Sequence, residues 1–233
     1  MKREPLVLLP GTLCDERLWA HQLEHLTDVS DPSVSMLTEA DTMEGMAGSV
    51  LKHAPERFAL AGLSLGGIVA MEVIRQAPER VTRLALLDSN PHGPKPEQLE
   101  SWKDLISKVE SGQFQSIVEE YLLPNLIHPS RQEDSELVST IRCMVEEIGP
   151  EVYVQQLKAV STRSDLREGL REINVPTLLL VGKDDQVCPL SLHEEMQAYI
   201  LESRLVVVDH CGHLSSLERP EEVTTALRNW LME

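Results

Sequence analysis

A serine between two glycines is the first residue in the chain whose surroundings suggest chemistry. Ser64 lies in Gly62-Leu63-Ser64-Leu65-Gly66, with an apolar run before it and a helical run after it. A strand, a tight turn and a helix in that order would present the hydroxyl at the apex, and the glycines would let strand and helix pass closely. A serine hydroxyl becomes a nucleophile only when a neighbouring base takes its proton. Ser64 therefore predicts a histidine, which titrates near neutrality, and an acid that orients it.

Short apolar runs alternate with helical patterns on both sides of Ser64. Strands are predicted at 6–9, at 34–37, in the run that begins at Phe58, and at 83–87, 177–181 and 205–208. The alternation predicts an α/β fold with a mostly parallel sheet of about six strands, covered by helices on both faces. In such sheets, functional residues lie in loops at the carboxyl ends of strands. Four of these loops hold chemically capable residues, namely Gly11-Thr12, Ser64, Asp185 and His213.

The alternation stops after residue 90 and resumes near residue 165. Pro91, Pro94 and Pro96 open a stretch without a convincing strand, which instead shows about four amphipathic helical patterns. Pro150 suits the first turn of the fourth helix. We therefore expect residues 1–90 and 165–233 to form the α/β core, and residues 91–164 to be an inserted helical lid.

The sequence resembles the α/β-hydrolase superfamily over nearly its whole length. The pattern around Ser64 is similar to the nucleophile elbow of that family. The family's acid follows an apolar strand as Gly-x-x-Asp with a proline after it, which here corresponds to Gly182-Lys183-Asp184-Asp185 and Pro189. Its histidine commonly sits in a Gly-His pair before a helix, which favours His213 over His210. The resemblance implies Ser64 as nucleophile, His213 as base and Asp185 as acid.

The same resemblance implies an oxyanion hole made of backbone N–H groups. One donor would be Leu65, directly after the nucleophile, and the other would be Thr12. The family has a His-Gly pair before the second donor, whereas this chain has Pro10-Gly11; the imidazole is lost but the backbone donor is kept. Trp19 follows at a spacing where relatives often have an aromatic residue. We interpret Trp19 as a packing residue, with a substrate-binding role as the alternative.

Other residues offer alternatives to this assignment. Asp88 ends the strand after the elbow helix and is the acid if Asp185 is not. Cys188 and Cys211 lack a base partner, so both are predicted to be bystander thiols. The run His21-Gln22-Leu23-Glu24-His25 matches the zinc pattern His-x-x-Glu-His. Its histidines point roughly 120° away from the apolar face of the helix, and no third ligand is evident, so we predict no metal.

Composition narrows the range of partners. The 233 residues carry a formal net charge of −17, which argues against nucleic acid and anionic membranes. No stretch reaches membrane-spanning length, and the apolar run near the start is too short for a signal peptide. Four scattered cysteines without metal-type or disulfide-like spacing favour a reducing cytoplasm.

These expectations combine into a carboxylesterase-like serine hydrolase that needs no cofactor. It would cleave a carboxylic ester, or a related acyl compound such as a thioester, through an acyl-enzyme. The apolar faces of the lid favour a small-molecule substrate with a modest apolar acyl group; the charge of −17 disfavours strongly anionic ones, unless Arg131, Arg142 or Arg163 overrides it locally. The alternatives are a carbon–carbon bond hydrolase on the same residues and a non-catalytic ligand-binding protein with the same fold. The oligomeric state stays open.

Overall fold

Six parallel strands form the centre of the molecule. The structure, a computed structural model, describes residues 3–233. The sheet order is β2-β1-β3-β4-β5-β6, and every neighbouring pair is parallel. The strands are β1 (Glu4–Leu9), β2 (Ser30–Val34), β3 (Phe58–Leu63), β4 (Val81–Leu87), β5 (Thr177–Gly182) and β6 (Ser203–Val208). The predicted parallel sheet of about six strands is therefore confirmed.

The position predicted for the second strand is wrong. The apolar run at 34–37 was expected to form it, but β2 is Ser30–Val34, a polar segment with Pro32 in its middle. It pairs with β1 alone, from Glu4 opposite Ser30 to Leu8 opposite Val34. An edge strand of this kind tolerates proline and polar side chains, because one of its sides needs no partner.

Helices cover both faces of the sheet. The side chains of the strands contribute to a separate hydrophobic core on each face. The α-helices are α1 (Ala20–His25), α2 (Met43–His53), α3 (Leu65–Gln76), α4 (Pro96–Glu110), α5 (Phe114–Ile117), α6 (Leu123–Leu126), α7 (Ser135–Ser161), α8 (Leu190–Tyr199), α9 (Ser215–Glu218) and α10 (Pro220–Met232). Leu8 belongs to the core shared with α10, and its neighbour Leu9 to the core shared with α2 and α3. This alternation along the strand explains why the strands read as continuous apolar runs.

The helices between β4 and β5 follow the predicted amphipathic pattern. A π-helical segment, Val118–Leu122, joins α5 to α6. The helix α7 bends at Gly149, which has a φ of 79°, and Pro150 begins its second arm. The side chains of these helices extend the core on the α10 face of the sheet. None of the helices within residues 3–233 is long and apolar enough to cross a membrane.

Candidate active site

Ser64 occupies the sharp turn between β3 and α3. Its φ of 56° and ψ of −116° are rare for a residue with a side chain, and such a conformation costs on the order of 1–3 kcal/mol. Hydrogen bonds hold the turn: the Ser64 N–H donates to the Leu87 carbonyl at 2.9 Å, and the Ser64 carbonyl accepts from the Gly67 N–H at 2.9 Å. The Oγ of Ser89 also donates to this carbonyl at 2.9 Å. The turn is thereby fixed with the hydroxyl clear of the backbone.

The glycines on either side of Ser64 allow two close backbone contacts. A Cβ on Gly62 would lie 2.2 Å from the Gly66 carbonyl oxygen, so the predicted approach of strand and helix is confirmed. A Cβ on Gly66 would lie 2.2 Å from the carbonyl oxygen of Leu9. This second contact presses the start of α3 against the end of β1. It also places Gly11, in the loop after β1, beside Ser64.

His213 is brought to Ser64 by the loop that follows β6. Its Nε2 lies 2.8 Å from the Ser64 Oγ, and its Nδ1 lies 2.8 Å from the Asp185 Oδ2. An ionised Asp185 accepts from Nδ1–H, which leaves Nε2 free to accept the hydroxyl proton of Ser64. The His213 side chain is 3 % exposed. His210, the alternative histidine, has its ring against His128 instead.

Asp185 lies in the loop after β5 and is held by its own turn. Its Oδ1 accepts from the N–H groups of Val187 at 2.8 Å and Cys188 at 2.9 Å, so that Oδ2 faces His213. The residue is 2 % exposed. Both oxygens of the carboxylate are satisfied, which fixes the orientation of the acid.

For both His213 and Asp185, burial and the neighbouring charge have opposite effects on the pKa. Burial lowers the pKa of His213, but the charge and hydrogen bond of Asp185 raise it above its ordinary value overall. Burial raises the pKa of Asp185, whereas His213 and two backbone N–H groups lower it overall. The arrangement therefore favours an ionised acid beside a histidine of increased basicity.

Asp88, the alternative acid, directly follows β4, but its carboxyl oxygens are hydrogen-bonded to residues other than His213. Its Oδ1 accepts from the Gly182 N–H at 2.8 Å, and its Oδ2 lies 2.5 Å from the Ser215 Oγ. Within residues 3–233 no hydrogen bond joins Asp88 to His213. Burial and the charge of Asp185 raise the pKa of Asp88 and favour its protonated form. The imidazole of His213 is therefore hydrogen-bonded to Asp185 and not to Asp88.

The two residues predicted to supply the oxyanion donors lie at the same cavity. Thr12 and Leu65 both line the cavity beside Ser64, and neither N–H donates to an acceptor in the part of the chain that the structure describes. Leu13, after Thr12, has a φ of 57°. Its N–H donates to the Oε1 of Gln156 at 3.0 Å, and the Nε2 of Gln156 donates to the Leu37 carbonyl at 3.1 Å. Gln156, in α7, thereby holds the loop that carries the Thr12 amide.

The cavity beside Ser64 has a volume of about 470 Å³, within the range of small-molecule sites. The loops of the sheet form one side of it and the helices between β4 and β5 form the other. Besides Thr12, Ser64 and His213, the wall contains Gly11, Cys14, Leu65, Ile68, Asn90, Glu97, Gln98, Ser101, Trp102, Leu105, Tyr121, Leu122, Asn125, Leu126, Tyr153, Leu157, Val160, Arg163, Gln186, Val187, Cys188 and Leu214.

Trp19 is not part of this wall. Its side chain is fully buried in the core on the α10 face, which favours packing over the substrate-binding alternative.

Burial raises the pKa of both Cys188 and Cys211, which favours their inert thiol forms.

The possible zinc pair is engaged with other partners. The rings of His21 and His25 stack with their centroids 4.0 Å apart, and the Nδ1 of His21 lies 2.7 Å from the Thr224 Oγ1. Residues 3–233 contain no group of three or more His, Cys, Asp or Glu side chains placed to hold a metal ion.

A parallel sheet with a strained serine turn, followed by an acid and a histidine in later strand loops, defines an α/β-hydrolase. The sequence profile of the Alpha/beta hydrolase family matches residues 6–226. The chain belongs to this family and is a hydrolase.

Individual relatives agree with this assignment and are themselves esterases. The chain is similar to the pimeloyl-(acyl-carrier protein) methyl ester esterase of Pectobacterium carotovorum, with 30% identity over 94% of this chain and 91% of that one. The enzyme of the same name from Citrobacter koseri is 31% identical, over 95% and 91%. A thermophilic esterase from Thermogutta terrifontis, solved with malate bound, superposes with a TM-score of 0.90 and 30% identity, over 99% of this chain and 90% of that one. The predicted class, a hydrolase of the esterase type, is confirmed.

Proposed function

We propose that Ser64, His213 and Asp185 form the catalytic triad of an enzyme that hydrolyses carboxylic esters or thioesters of small acids. The observation that carries the proposal is the chain of two 2.8 Å contacts, from Ser64 Oγ to His213 Nε2 and from His213 Nδ1 to Asp185 Oδ2. Because both contacts are already short, little reorganisation is needed before proton transfer.

In the first half of the reaction, the Ser64 Oγ attacks the carbonyl carbon of the ester while His213 takes the hydroxyl proton. Asp185 stabilises the imidazolium that forms and holds its tautomer. The negative charge that develops on the carbonyl oxygen is received by the N–H groups of Thr12 and Leu65. Each donor of this kind is commonly worth about 10²–10³ in kcat.

In the second half, His213 returns the proton to the departing alcohol or thiol, which leaves an acyl group on Ser64. Water then enters, loses a proton to His213 and attacks the acyl carbon. The carbonyl oxygen again occupies the space near Thr12 and Leu65. The acid is released and the Ser64 hydroxyl is restored, so that the cycle consumes one water molecule and needs no cofactor.

Residues 91–164 act in this proposal as the lid that selects the substrate. Trp102, Leu105 and Leu157 from these helices line the cavity, which supports a modest apolar acyl chain. The methyl esterases among the relatives support a small alcohol group on the reacting carbonyl. All four cysteines are free thiols, which supports a reducing, cytoplasmic location.

The test compares hydrolysis of p-nitrophenyl acetate and butyrate by the wild type, Ser64→Ala and Ser139→Ala. Ser139 is an exposed serine on α7 and serves as the matched control. We expect Ser64→Ala to lose at least about 10⁴-fold in kcat and Ser139→Ala to retain the wild-type rate. Equal rates for the wild type and Ser64→Ala would contradict the proposal.

A fluorophosphonate probe separates this enzyme from a binding protein of the same fold. The probe should form an adduct on Ser64 in the wild type, which mass spectrometry of the peptide detects. No adduct together with no turnover would favour the binding protein. Faster cleavage of diketone substrates than of any ester would instead favour a carbon–carbon bond hydrolase.

A further inference from the structure

Arg163 brings a positive charge into the cavity that the proposed mechanism does not use. It follows α7, and it is the one lysine or arginine among the described residues that line the cavity of Ser64. The residue is only 8 % exposed. A guanidinium remains protonated at neutral pH even though burial lowers the pKa of Arg163.

Two contacts fix the guanidinium but leave its outer edge free. The Nε donates to the His92 carbonyl at 2.8 Å, and the Cζ lies 5.4 Å from the centre of the Trp102 ring, within cation–π range. Among residues 3–233, neither Nη1 nor Nη2 has a hydrogen-bond acceptor or an ion-pair partner. The two nitrogens that form the fork of an arginine are therefore available to a ligand.

The nearby carboxylates do not neutralise this charge. Asp165 and Glu195 are both engaged by Arg167, at 2.7 Å and 3.4 Å. Glu97 also lines the cavity, but it is exposed and forms no ion pair with Arg163 in the described part of the chain. A buried cation without a counter-ion is costly to a protein unless something else supplies the negative charge.

We propose that Arg163 binds a carboxylate of the substrate, at a distance from the ester bond that Ser64 attacks. The substrate class is then a half-ester of a small dicarboxylic acid, or an ester that carries a free carboxylate on its other side. A carboxylate matches the two free nitrogens of the guanidinium in a bidentate pair. The inference rests on the proposed function, because it concerns the substrate of the same cavity.

The inference reverses the expectation drawn from the charge of −17. The net charge acts through solvent, where 0.15 M salt screens charges beyond about 8 Å. Arg163 acts inside the cavity, where a carboxylate bound directly to the guanidinium would have no solvent between the two charges. For a bound ligand the local cation should therefore outweigh the distant surface charges.

The experiment measures kcat/KM in a pH-stat for two matched substrate series. One series is the monomethyl esters of dicarboxylic acids from succinate to suberate, and the other is the methyl esters of monocarboxylic acids of equal chain length. The wild type should prefer the anionic ester by about 10- to 100-fold at one or more lengths, as expected for charge-assisted hydrogen bonds. Because the readout is a ratio between the series, a general loss of activity does not imitate it.

Three variants test whether Arg163 causes the preference for the anionic ester. Arg163→Gln should reduce the ratio to near one, and Arg163→Lys should retain part of it. Arg142→Gln makes the same change in net charge at an exposed residue paired with Glu119, and it should keep the wild-type ratio. An equal fall of the ratio in Arg142→Gln and Arg163→Gln would overturn the inference, because long-range charge would then be the cause.

Two further measurements use the wild type and need no variant to fold. Hexanoate should inhibit hydrolysis of a neutral ester at least about tenfold more strongly than the uncharged hexanamide does, as a charge-assisted hydrogen bond to a carboxylate predicts. If hydrolysis requires Ser64 but shows no anion preference at any chain length, the role of Arg163 is wrong and the proposed function stands. If Ser64→Ala is fully active, the proposed function itself fails.

Discussion

Replacing Gln156 with methionine should weaken both the fold and the chemistry, because this side chain satisfies two buried backbone groups at once. Gln156 is 1 % exposed. It accepts the Leu13 N–H at 3.0 Å and donates to the Leu37 carbonyl at 3.1 Å. Methionine has a similar length but cannot form either hydrogen bond. Both backbone groups would then stay buried without a partner, since no other acceptor or donor among residues 3–233 bonds to them.

The size of the effect follows from these two groups. Each unsatisfied buried group costs about 1–3 kcal/mol, so the pair costs about 2–6 kcal/mol. Methionine offsets on the order of 1 kcal/mol of this cost, because folding no longer has to desolvate the side-chain amide. We therefore expect the free energy of unfolding of Gln156→Met to fall by about 1–5 kcal/mol. Because the Leu13 amide also fixes the loop of Thr12, kcat should fall by about 10- to 100-fold.

Urea unfolding, followed by tryptophan fluorescence, and p-nitrophenyl butyrate hydrolysis measure the two effects. Gln155→Met is the matched control, since it makes the same change one position earlier in α7. The Gln155 Oε1 is buried without a partner, so its replacement breaks no hydrogen bond of that atom and Gln155→Met should be at least as stable as the wild type. The reasoning is refuted if Gln156→Met is as stable as Gln155→Met and both variants keep the wild-type kcat.

Two further predictions concern the base and the serine turn. The kcat/KM for p-nitrophenyl butyrate should rise with pH through one ionisation above 6.5, because the raised pKa keeps His213 in its protonated, inactive form up to a higher pH than an ordinary histidine. Asp185→Asn should move that midpoint to lower pH and lose about 10⁴-fold in rate. An unmoved midpoint would count against Asp185 as the main cause. Gly66→Ala should lower the free energy of unfolding by about 1–3 kcal/mol, since its Cβ would meet the Leu9 carbonyl, whereas Gly48→Ala, with open space around it, should raise it by about 0.5–1 kcal/mol. Urea unfolding of both glycine variants checks this, and equal effects would contradict it.

Local patterns in the sequence were sufficient for most of the fold and for the three residues now proposed as the triad. Ser64 follows an apolar run directly, and Asp185 and His213 lie in the loops after two later ones. A parallel sheet collects the carboxyl ends of its strands at one edge. The register of β2 was beyond this reasoning. An apolar run such as 34–37 indicates that its side chains are buried. Strand pairing depends instead on which backbone segment lies beside β1, and a polar segment can form an edge strand as well as an apolar one.

The polar residues that hold the site were missed, because their partners are distant in sequence. Gln156 is separated from Leu13 by 143 positions, and the buried His193 is separated from Ser89, whose N–H it accepts, by 104. Burial lowers the pKa of His193 to about 4, so it acts as a neutral acceptor. The one local signal is a polar side chain on an otherwise apolar helix face, and that signal names no partner.

Glu218 joins the proposed base to the helices that line the cavity. Its Oε1 accepts from the Gly212 N–H at 2.9 Å, and its Oε2 accepts from the His128 N–H at 2.8 Å, in the segment after α6. The His213 N–H itself donates to the Leu126 carbonyl at 3.1 Å. A shift of α6 would therefore displace the backbone of His213, which carries the imidazole. Residues that shape the substrate cavity and the residue proposed to move the proton form one hydrogen-bonded unit, so changes to substrate fit at this end of the cavity must also change the alignment of His213 with Ser64.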